Sequence, residues 1–350
     1  MNPPTTSIDI QRAIDIIGRF GHLQADEAEA VMNQIMAGQA TEAQIGAYLM
    51  GLRMKGETQD EIVGSARAMR ANAVRVPVKA NGTDLLDTCG TGGDKSGTFN
   101  ISTTVAFVAA GAGLKVAKHG NRASTSLCGS ADVLAELGVN LDLTPEQVGA
   151  CIDEVGIGFL FAPKLHPAMK HAIGPRRQIA VRTIFNILGP LTNPAGARRQ
   201  IMGVFAPDLT GMLAHVLGEL GSTSALVFSG YGGLDELTTT GPNHVSHYKD
   251  GTVTSYELNP QEYGFAGAHI SNLLGGDAKT NAAILRGVLS GTVDGPKRDV
   301  VLLNAGAALL AGGLVNDLAA GIVRAQDVIE SGAALAKLEA LIAYSREVAA

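Results

Sequence analysis

Cysteine is scarce in this chain of 350 residues. Its three positions, Cys89, Cys128 and Cys151, are odd in number and form no C-x-x-C pair. A disulfide framework is excluded and a reducing compartment expected. Positive charge is not in excess: 27 Lys and Arg face 33 Asp and Glu, a formal net charge of −6. Nonspecific binding to nucleic acid or anionic membrane is therefore disfavoured, and any anionic ligand needs a local site. No apolar run is long enough to span a membrane. Val300 to Val315 comes nearest, but it is short, rich in Gly and Ala, and interrupted by Asn304; it reads as a buried helix. The opening MNPPTTSIDI lacks the basic and apolar regions of a secretory signal, so the cytoplasm is the expected location. No internal repeat or low-complexity linker is evident.

What is present is an apolar share of 46% with 17% charged residues. That composition excludes general disorder, and the length suggests about two domains at roughly 150 residues each. Glycine is abundant, with 44 residues where average usage is about 7%. From Ile8 to about Val74 apolar residues recur at spacings of three and four, and Thr41 and Thr58 stand where helix caps are expected, Thr58 in capping-box register with Glu61. Three or four short helices are expected there. After Val76-Pro77-Val78 the pattern changes to short apolar runs, Gly-rich turns and helical stretches, the signature of a largely parallel sheet. Strands are expected at 84–87, 115–118, 158–162, 200–206 and 225–229, with helices beginning near Ser102, Ser130, Pro145, Pro207 and Asp277. Residues 243–248 and 252–258 flank Asp250-Gly251 and read as a β-hairpin. The stretch 166–191 reads as helical again and rich in Arg. The expected fold class is α/β: a small all-α domain (1–74, joined by a helical return at about 169–193) and a larger α/β domain (75–350) with a mostly parallel central sheet.

Two segments carry the chemistry. Asp87 to Thr104 reads DTCGTGGDKSGTFNISTT, after a strand and before a helix. Glycines there let backbone N–H groups converge on a phosphate at a helix N-terminus, and Asn100, Ser102 and Thr103 add side-chain donors. Two familiar loops fail on counting. A Walker A motif begun at Gly92 needs Lys where Thr98 stands, and a G-x-G-x-x-G fingerprint begun at Gly90 needs Gly where Lys95 stands. The second segment, Lys118 to Ser126, reads KHGNRASTS, again at a strand end, before Gly129-Ser130-Ala131-Asp132. Ligands bind outside the carboxyl ends of such strands, so both loops are expected to face one crevice. His119 alone would read as a structural histidine.

Together the motifs G-T-G-G-D, N-x-S-T and K-H-G-N-R-A resemble those of the anthranilate phosphoribosyltransferase family, a tryptophan-pathway family. The likeness extends over nearly the whole chain, through Phe161-Ala162-Pro163, His166-Pro167-Ala168-Met169-Lys170, the run from Arg182 to Ala195, and Gly233-Leu234-Asp235-Glu236. It implies transfer of a phosphoribosyl group from 5-phosphoribosyl-1-diphosphate (PRPP) to the amino group of anthranilate, with Mg²⁺, two ions being expected. Carried over, the PRPP ligands are Gly90, Gly93, Asp94, Thr98, Asn100, Ile101, Ser102 and Thr103 in the first loop. The second loop supplies Lys118, His119, Gly120, Asn121, Arg122, Ala123, Ser124, Thr125, Ser126 and Ser130. Lys118, Asp94 and His119 are the implied catalytic residues. Ser102, Asp235 and Glu236 are implied for the metal, and Gly90, Asn121 and Arg176 for anthranilate. The family's R-R-x-L-G-x-R-T stretch has Ala180 at its usual Gly, and Thr125 and Cys128 vary the second loop. A homodimer is implied, with no nucleic-acid or membrane partner.

The residue types suit that reaction. An aromatic amine is already nucleophilic near neutrality, so stabilising the departing pyrophosphate is the larger task. Asp235, Glu236 and Ser102 offer the hard oxygen ligands that Mg²⁺ prefers, Lys118 a charge-assisted donor, and Arg176 a fork matched to a carboxylate. Two other readings compete. A pyrimidine-nucleoside phosphorylase shares the architecture but does not need Asn121 or a metal-binding Asp235-Glu236 pair. A nucleic-acid-binding relative would show a basic groove and degraded loops.

Overall fold

The structure, a computed structural model, describes residues 8–80, 82–123 and 127–348. The expected PRPP ligands Ser124, Thr125 and Ser126 lie outside the described residues. The chain opens with α1 (Ile10–Gly18), α2 (Ala25–Met36), α3 (Glu42–Lys55) and α4 (Gln59–Ala71), followed by β1 (Leu85–Asp87), α5 (Ile101–Gly111), β2 (Lys115–Gly120), α6 (Ser130–Glu136), α7 (Pro145–Val155) and β3 (Ile157–Phe161). Then come α8 (Ala162–Leu165), α9 (Lys170–Ile179), α10 (Phe185–Leu188), β4 (Arg199–Gly203), α11 (Leu209–Glu219), β5 (Ser224–Ser229), β6 (Asn243–Lys249) and β7 (Thr252–Leu258). Four helices close the chain: α12 (Ala278–Leu289), α13 (Pro296–Ala311), α14 (Leu318–Glu330) and α15 (Ala333–Glu347).

Two compact units result, one of Met1–Val74 with Pro163–Thr192, the other of Arg75–Ala162 with Asn193–Ala350. In the helical unit, Thr41 and Thr58 cap α3 and α4 in capping boxes with Gln44 and Glu61. Each box satisfies N–H groups that a helix start leaves unpaired. Glu61 does more: its carboxylate accepts from Leu23 N at 3.0 Å and pairs with Lys55 Nζ at 2.7 Å, both side chains being buried. The helix α9 packs on α3, and Gln178 Nε2 donates to Glu42 at 3.1 Å. The expected continuous helical stretch over 166–191 is broken: α9 stops at Ile179 because Ala180 adopts the left-handed conformation (φ 54°, ψ 25°) while its N–H still donates to Arg176 O.

In the α/β unit the sheet order is β3-β2-β1-β4-β5-β6-β7, parallel through β5 and antiparallel across β6 and β7. The hairpin is present in full. Strand order reverses direction at β1, which lies between β2 and β4, so the topological switch point is the carboxyl end of β1. The helices α5 and α13 bury their length in the core, with Val105 to Ala110 and Val300 to Leu309 almost inaccessible. That explains the apolar run seen in the sequence. No helix among the described residues is long and apolar enough to cross a membrane.

A left-handed alanine costs about 1–2 kcal/mol, while glycine there surrenders part of that gain to unfolded-chain entropy. Ala180→Gly is therefore expected to stabilise the helical unit by about 0.5–1 kcal/mol. A small rise in its chemical-unfolding midpoint at unchanged slope would show this; a fall would contradict the strain.

Candidate active site

The strand β1 is only three residues long. Its ladder with β2 ends after Leu85↔Lys115 and Leu86↔Val116, and the Asp87 side chain then takes over. Its Oδ1 accepts from His119 N at 3.1 Å, and its Oδ2 from Asn193 Nδ2 at 2.7 Å, while Asn193 also donates to Ala117 O. Burial pushes the Asp87 carboxyl up to about 6, against the pull of Lys118 and these hydrogen bonds. Lys118, itself 3% exposed, donates to Thr88 O and Oγ1 at 3.3 and 3.2 Å. Neither Asp87 nor Asn193 was a predicted site residue.

Beyond Asp87 the glycine-rich loop winds through alternating backbone hands, with positive φ at Gly92, Gly93, Lys95 and Gly97. Glycine reaches such left-handed positions at no steric cost, which lets the loop fold tightly against the strand ends. The loop is pinned to neighbouring strand ends: Thr91 N donates to Gly203 O at 2.9 Å, and Gly92 N to Asp235 Oδ2 at 2.6 Å. Gly203 at the end of β4 is needed for this approach, because a Cβ there would lie 1.6 Å from Asp235 O. Asp235 N faces Asp94 Oδ2 at 3.4 Å, and Glu236 Oε1 accepts from Ser102 N at 3.0 Å in the first turn of α5. The structure thus brings Gly90, Asp94, Ser102, Asp235 and Glu236 together at the switch point.

Electrostatically this cluster is unbalanced. Asp235 is pushed well above the ordinary carboxyl range by burial and then by Asp94 and Glu236. Glu236 is also raised, chiefly by burial, although Lys118 and Ser102 oppose the shift. Among the described residues no three His, Cys, Asp or Glu side chains form a complete metal cage. An incomplete set of oxygen donors with surplus negative charge fits Mg²⁺, which keeps several waters and shares phosphate oxygens. Residue 236 is held from behind. Asn304, the polar interruption of the apolar run, accepts from Leu237 N at 3.0 Å and donates to Leu237 O at 2.7 Å.

The second loop is closed by Asp132, whose Oδ2 accepts from Ala123 N and Gly129 N at 2.8 and 2.9 Å while Oδ1 takes Arg122 at 2.9 Å. Asn121 is exposed, and its carbonyl takes Ala131 N and Ser130 Oγ. Gly120 admits no side chain, since a Cβ would meet Ser130 Oγ at 2.2 Å and the Phe159 ring at 2.7 Å. Thr98 meets Ser96 Oγ at 3.2 Å, and Ile101 and Thr103 are buried in α5. Arg176 stands in the helical unit, in the last turn of α9, its guanidinium 5.0 Å from the Phe185 ring centre.

The α/β unit and its carboxylate-lined, glycine-rich switch point define a glycosyltransferase. Residues 82–335 match the glycosyl transferase family a/b domain and 11–73 the helical bundle domain of the same family. An anthranilate phosphoribosyltransferase of Moorella thermoacetica is 54% identical over 329 residues, 94% of this chain and 96% of that protein. One from Desulforamulus reducens is 53% identical, covering 96% and 97%. The crystal structure of the Thermus thermophilus enzyme superposes with a TM-score of 0.90 at 43% identity, covering 95% of this chain and 99% of that one. The Saccharomyces cerevisiae enzyme in complex with PRPP and Mg gives 0.89 at 27% identity, covering 97% and 98%. The chain belongs to the anthranilate phosphoribosyltransferase family.

Asparagine at 235 would keep the acceptor for Gly92 N and turn a donor toward Asp94. A carboxyl raised by burial stabilises the fold below its unfolded pKa, and that stability is lost as pH rises through the folded value. In ligand-free protein, Asp235→Asn is accordingly expected to raise the thermal midpoint at pH 7.5, by about 2–4 °C per kcal/mol of relieved repulsion, and to raise it less at pH 4. An equal effect at both values would refute the electrostatic origin.

Proposed function

We propose that the enzyme transfers the phosphoribosyl group of PRPP to the amino group of anthranilate, releasing pyrophosphate and giving N-(5-phosphoribosyl)anthranilate, a step of tryptophan biosynthesis. The observation that carries this reading is the pairing of a glycine-rich loop with surplus carboxylates at one strand end. Phosphates are satisfied by the loop, and the carboxylates require a cation. The family names of the relatives, the PRPP and Mg bound by the yeast enzyme, and the 4-fluoroanthranilate bound by that enzyme support it.

In this reading Gly90, Gly93, Asp94, Thr98, Asn100, Ile101, Ser102 and Thr103, with Lys118 to Ser126 and Ser130, hold PRPP. Asp235, Glu236 and Ser102 hold Mg²⁺, two ions in all, which when bound neutralise the diphosphate and their own carboxylates. As the bond from C1 to the diphosphate oxygen breaks, its electron pair leaves with pyrophosphate, and the anthranilate nitrogen forms the new bond to C1 and then gives up a proton. Buried Lys118 is fixed by Thr88 at the strand end, where a preorganised ammonium favours the growing charge of the leaving group. Asp94 and His119 complete the proposed catalytic set. The sugar passes through an oxocarbenium-like state, so orientation of amine, C1 and leaving group supplies much of the acceleration. Gly90, Asn121 and Arg176 are assigned to anthranilate. A cytoplasmic homodimer belongs to the same proposal, and sedimentation tests its oligomeric part.

A mixture of enzyme, PRPP, Mg²⁺ and anthranilate should lose anthranilate fluorescence in step with pyrophosphate release; thymidine phosphorolysis in place of that turnover would favour the phosphorylase instead. Arg176→Ala is expected to raise the KM for anthranilate at least tenfold, about 1.4 kcal/mol, with PRPP binding retained. Arg176→Lys should recover little of it, because an ammonium lacks the planar fork. Equal loss of PRPP affinity would reassign Arg176.

A further inference from the structure

Behind the glycine-rich loop lies a segment that the functional reading leaves unused, Leu273 to Asn281. It is laced to the loop along its length. Phe99 N donates to Leu273 O at 3.1 Å, Thr98 and Leu274 form an antiparallel bridge, and Gly275 N donates to Gly97 O at 2.9 Å. Gly275 permits this because a Cβ there would lie 2.4 Å from Asn281 Oδ1 and 2.7 Å from Phe99 Cα. The contact ends on Asn281, which is 2% exposed in the first turns of α12.

The amide of Asn281 has a determined orientation. Gly276 N–H can only donate, and it points at Asn281 Oδ1 at 2.8 Å. The Nδ2 end must then face Asn100, where it donates to Oδ1 at 2.9 Å. This fixes Asn100 in turn: its Oδ1 is occupied, and its Nδ2 faces the second loop, donating to Cys128 O at 3.2 Å. Asn100 is the N-cap of α5 yet makes no side-chain cap bond, so its amide is committed to this relay. An asparagine amide carries two donor hydrogens, and the relay aims the donor end away from Asn281.

We infer that Asn281 is a positioning residue for PRPP binding: through one hydrogen bond it holds the Asn100 amide with its donor end toward the anion and ties the two ligand loops to α12. The inference rests on the reading of Asn100 as a PRPP ligand. Asn281→Asp tests it with nearly unchanged volume. One carboxylate oxygen still accepts from Gly276 N, but the other presents an acceptor to Asn100, which must turn its Nδ2 inward and set its Oδ1 against Cys128 O.

The expected result is a rise of at least tenfold in the KM for PRPP, and in the PRPP Kd by calorimetry with Mg²⁺ and no anthranilate. The KM for anthranilate should stay within about twofold, since the hydrogen bonds of the relay join Gly276, Asn281, Asn100 and Cys128 and involve neither Arg176 nor Asn121. The same substitution placed on Asn100→Ala should weaken PRPP no further, because its target is gone. If Asn281→Asp folds poorly, Asn281→Ser enters the same cycle. Unchanged PRPP affinity, or equal further loss on the Asn100→Ala background, overturns the inference. Absence of PRPP binding or turnover in the unsubstituted enzyme overturns instead the functional reading on which it rests.

Discussion

Like charges held together at the switch point of the sheet set the terms for the rest of the α/β unit. Asp235 and Glu236 sit side by side where water is largely excluded, with Asp94 against them, and burial and mutual repulsion make the Asp235 and Glu236 carboxyl groups resist ionisation there. Left alone, such a cluster would spread apart. It is held by groups from distant parts of the chain: the N–H groups of Gly92 and Ser102, the close backbone approach at Gly203, and the Asn304 amide behind Leu237. The low dielectric that makes neighbouring carboxylates unfavourable also strengthens the attraction of such a cluster for any cation. Burial therefore serves affinity at the expense of the unliganded fold.

The anion side of the site follows a complementary logic. A chain of net charge −6 cannot rely on a basic surface, so its donors are mainly backbone amides in a loop with positive φ at Gly92, Gly93 and Gly97. Amides of this kind carry no desolvation cost comparable with a buried ammonium. Lys118, a buried cation at this site, lies close enough to Asp87 and Glu236 to lower the pKa of both. It is thus electrically coupled to the strand β1 on one side and to the Asp235-Glu236 carboxylates on the other. Asp87 also substitutes for a missing ladder partner, so one carboxylate both opens the crevice and steadies the lysine.

Much of this was legible in the sequence where the signal is local. The glycine-rich loop, the capped helices, the D-G hairpin and the alternation of short strands with helices each depend on residues a few positions apart, and each lies close to its expected place. The Asp235-Glu236 pair drew notice only through resemblance, since adjacent acids alone are common in solvated turns; the structure shows that both are buried. What could not be read were the partners of buried polar groups. Asn193 meets Asp87 across 106 positions and Asn281 meets Asn100 across 181, and nothing in the local pattern of either marks it as part of a ligand loop's support. Asn304 was a partial exception. A lone amide in an apolar run signals a specific buried partner, though not which one. The end of α9 was missed because alanine normally continues a helix, and only its left-handed φ shows that it stops one.

That alanine belongs with the carboxylates in a wider pattern. Local rules are broken at Ala180, at left-handed Lys95 and at the Asp94-Asp235-Glu236 cluster. The first lies four residues from Arg176, and the others lie in the glycine-rich loop and the carboxylate pair it faces. Strain of this kind persists only where surrounding structure over-determines it, and each instance here has such surroundings. Ala180 still closes the last hydrogen bond of α9, Lys95 is bracketed by Asp94 and Ser96, whose own side-chain bond spans it at 3.1 Å, and Asp235 is fixed by Gly92. Relief of any one would stabilise the ligand-free chain while moving a group in or beside the proposed site. On the proposed function, stability and activity therefore pull in opposite directions at these residues, which is where conflict between local preference and the fold is expected.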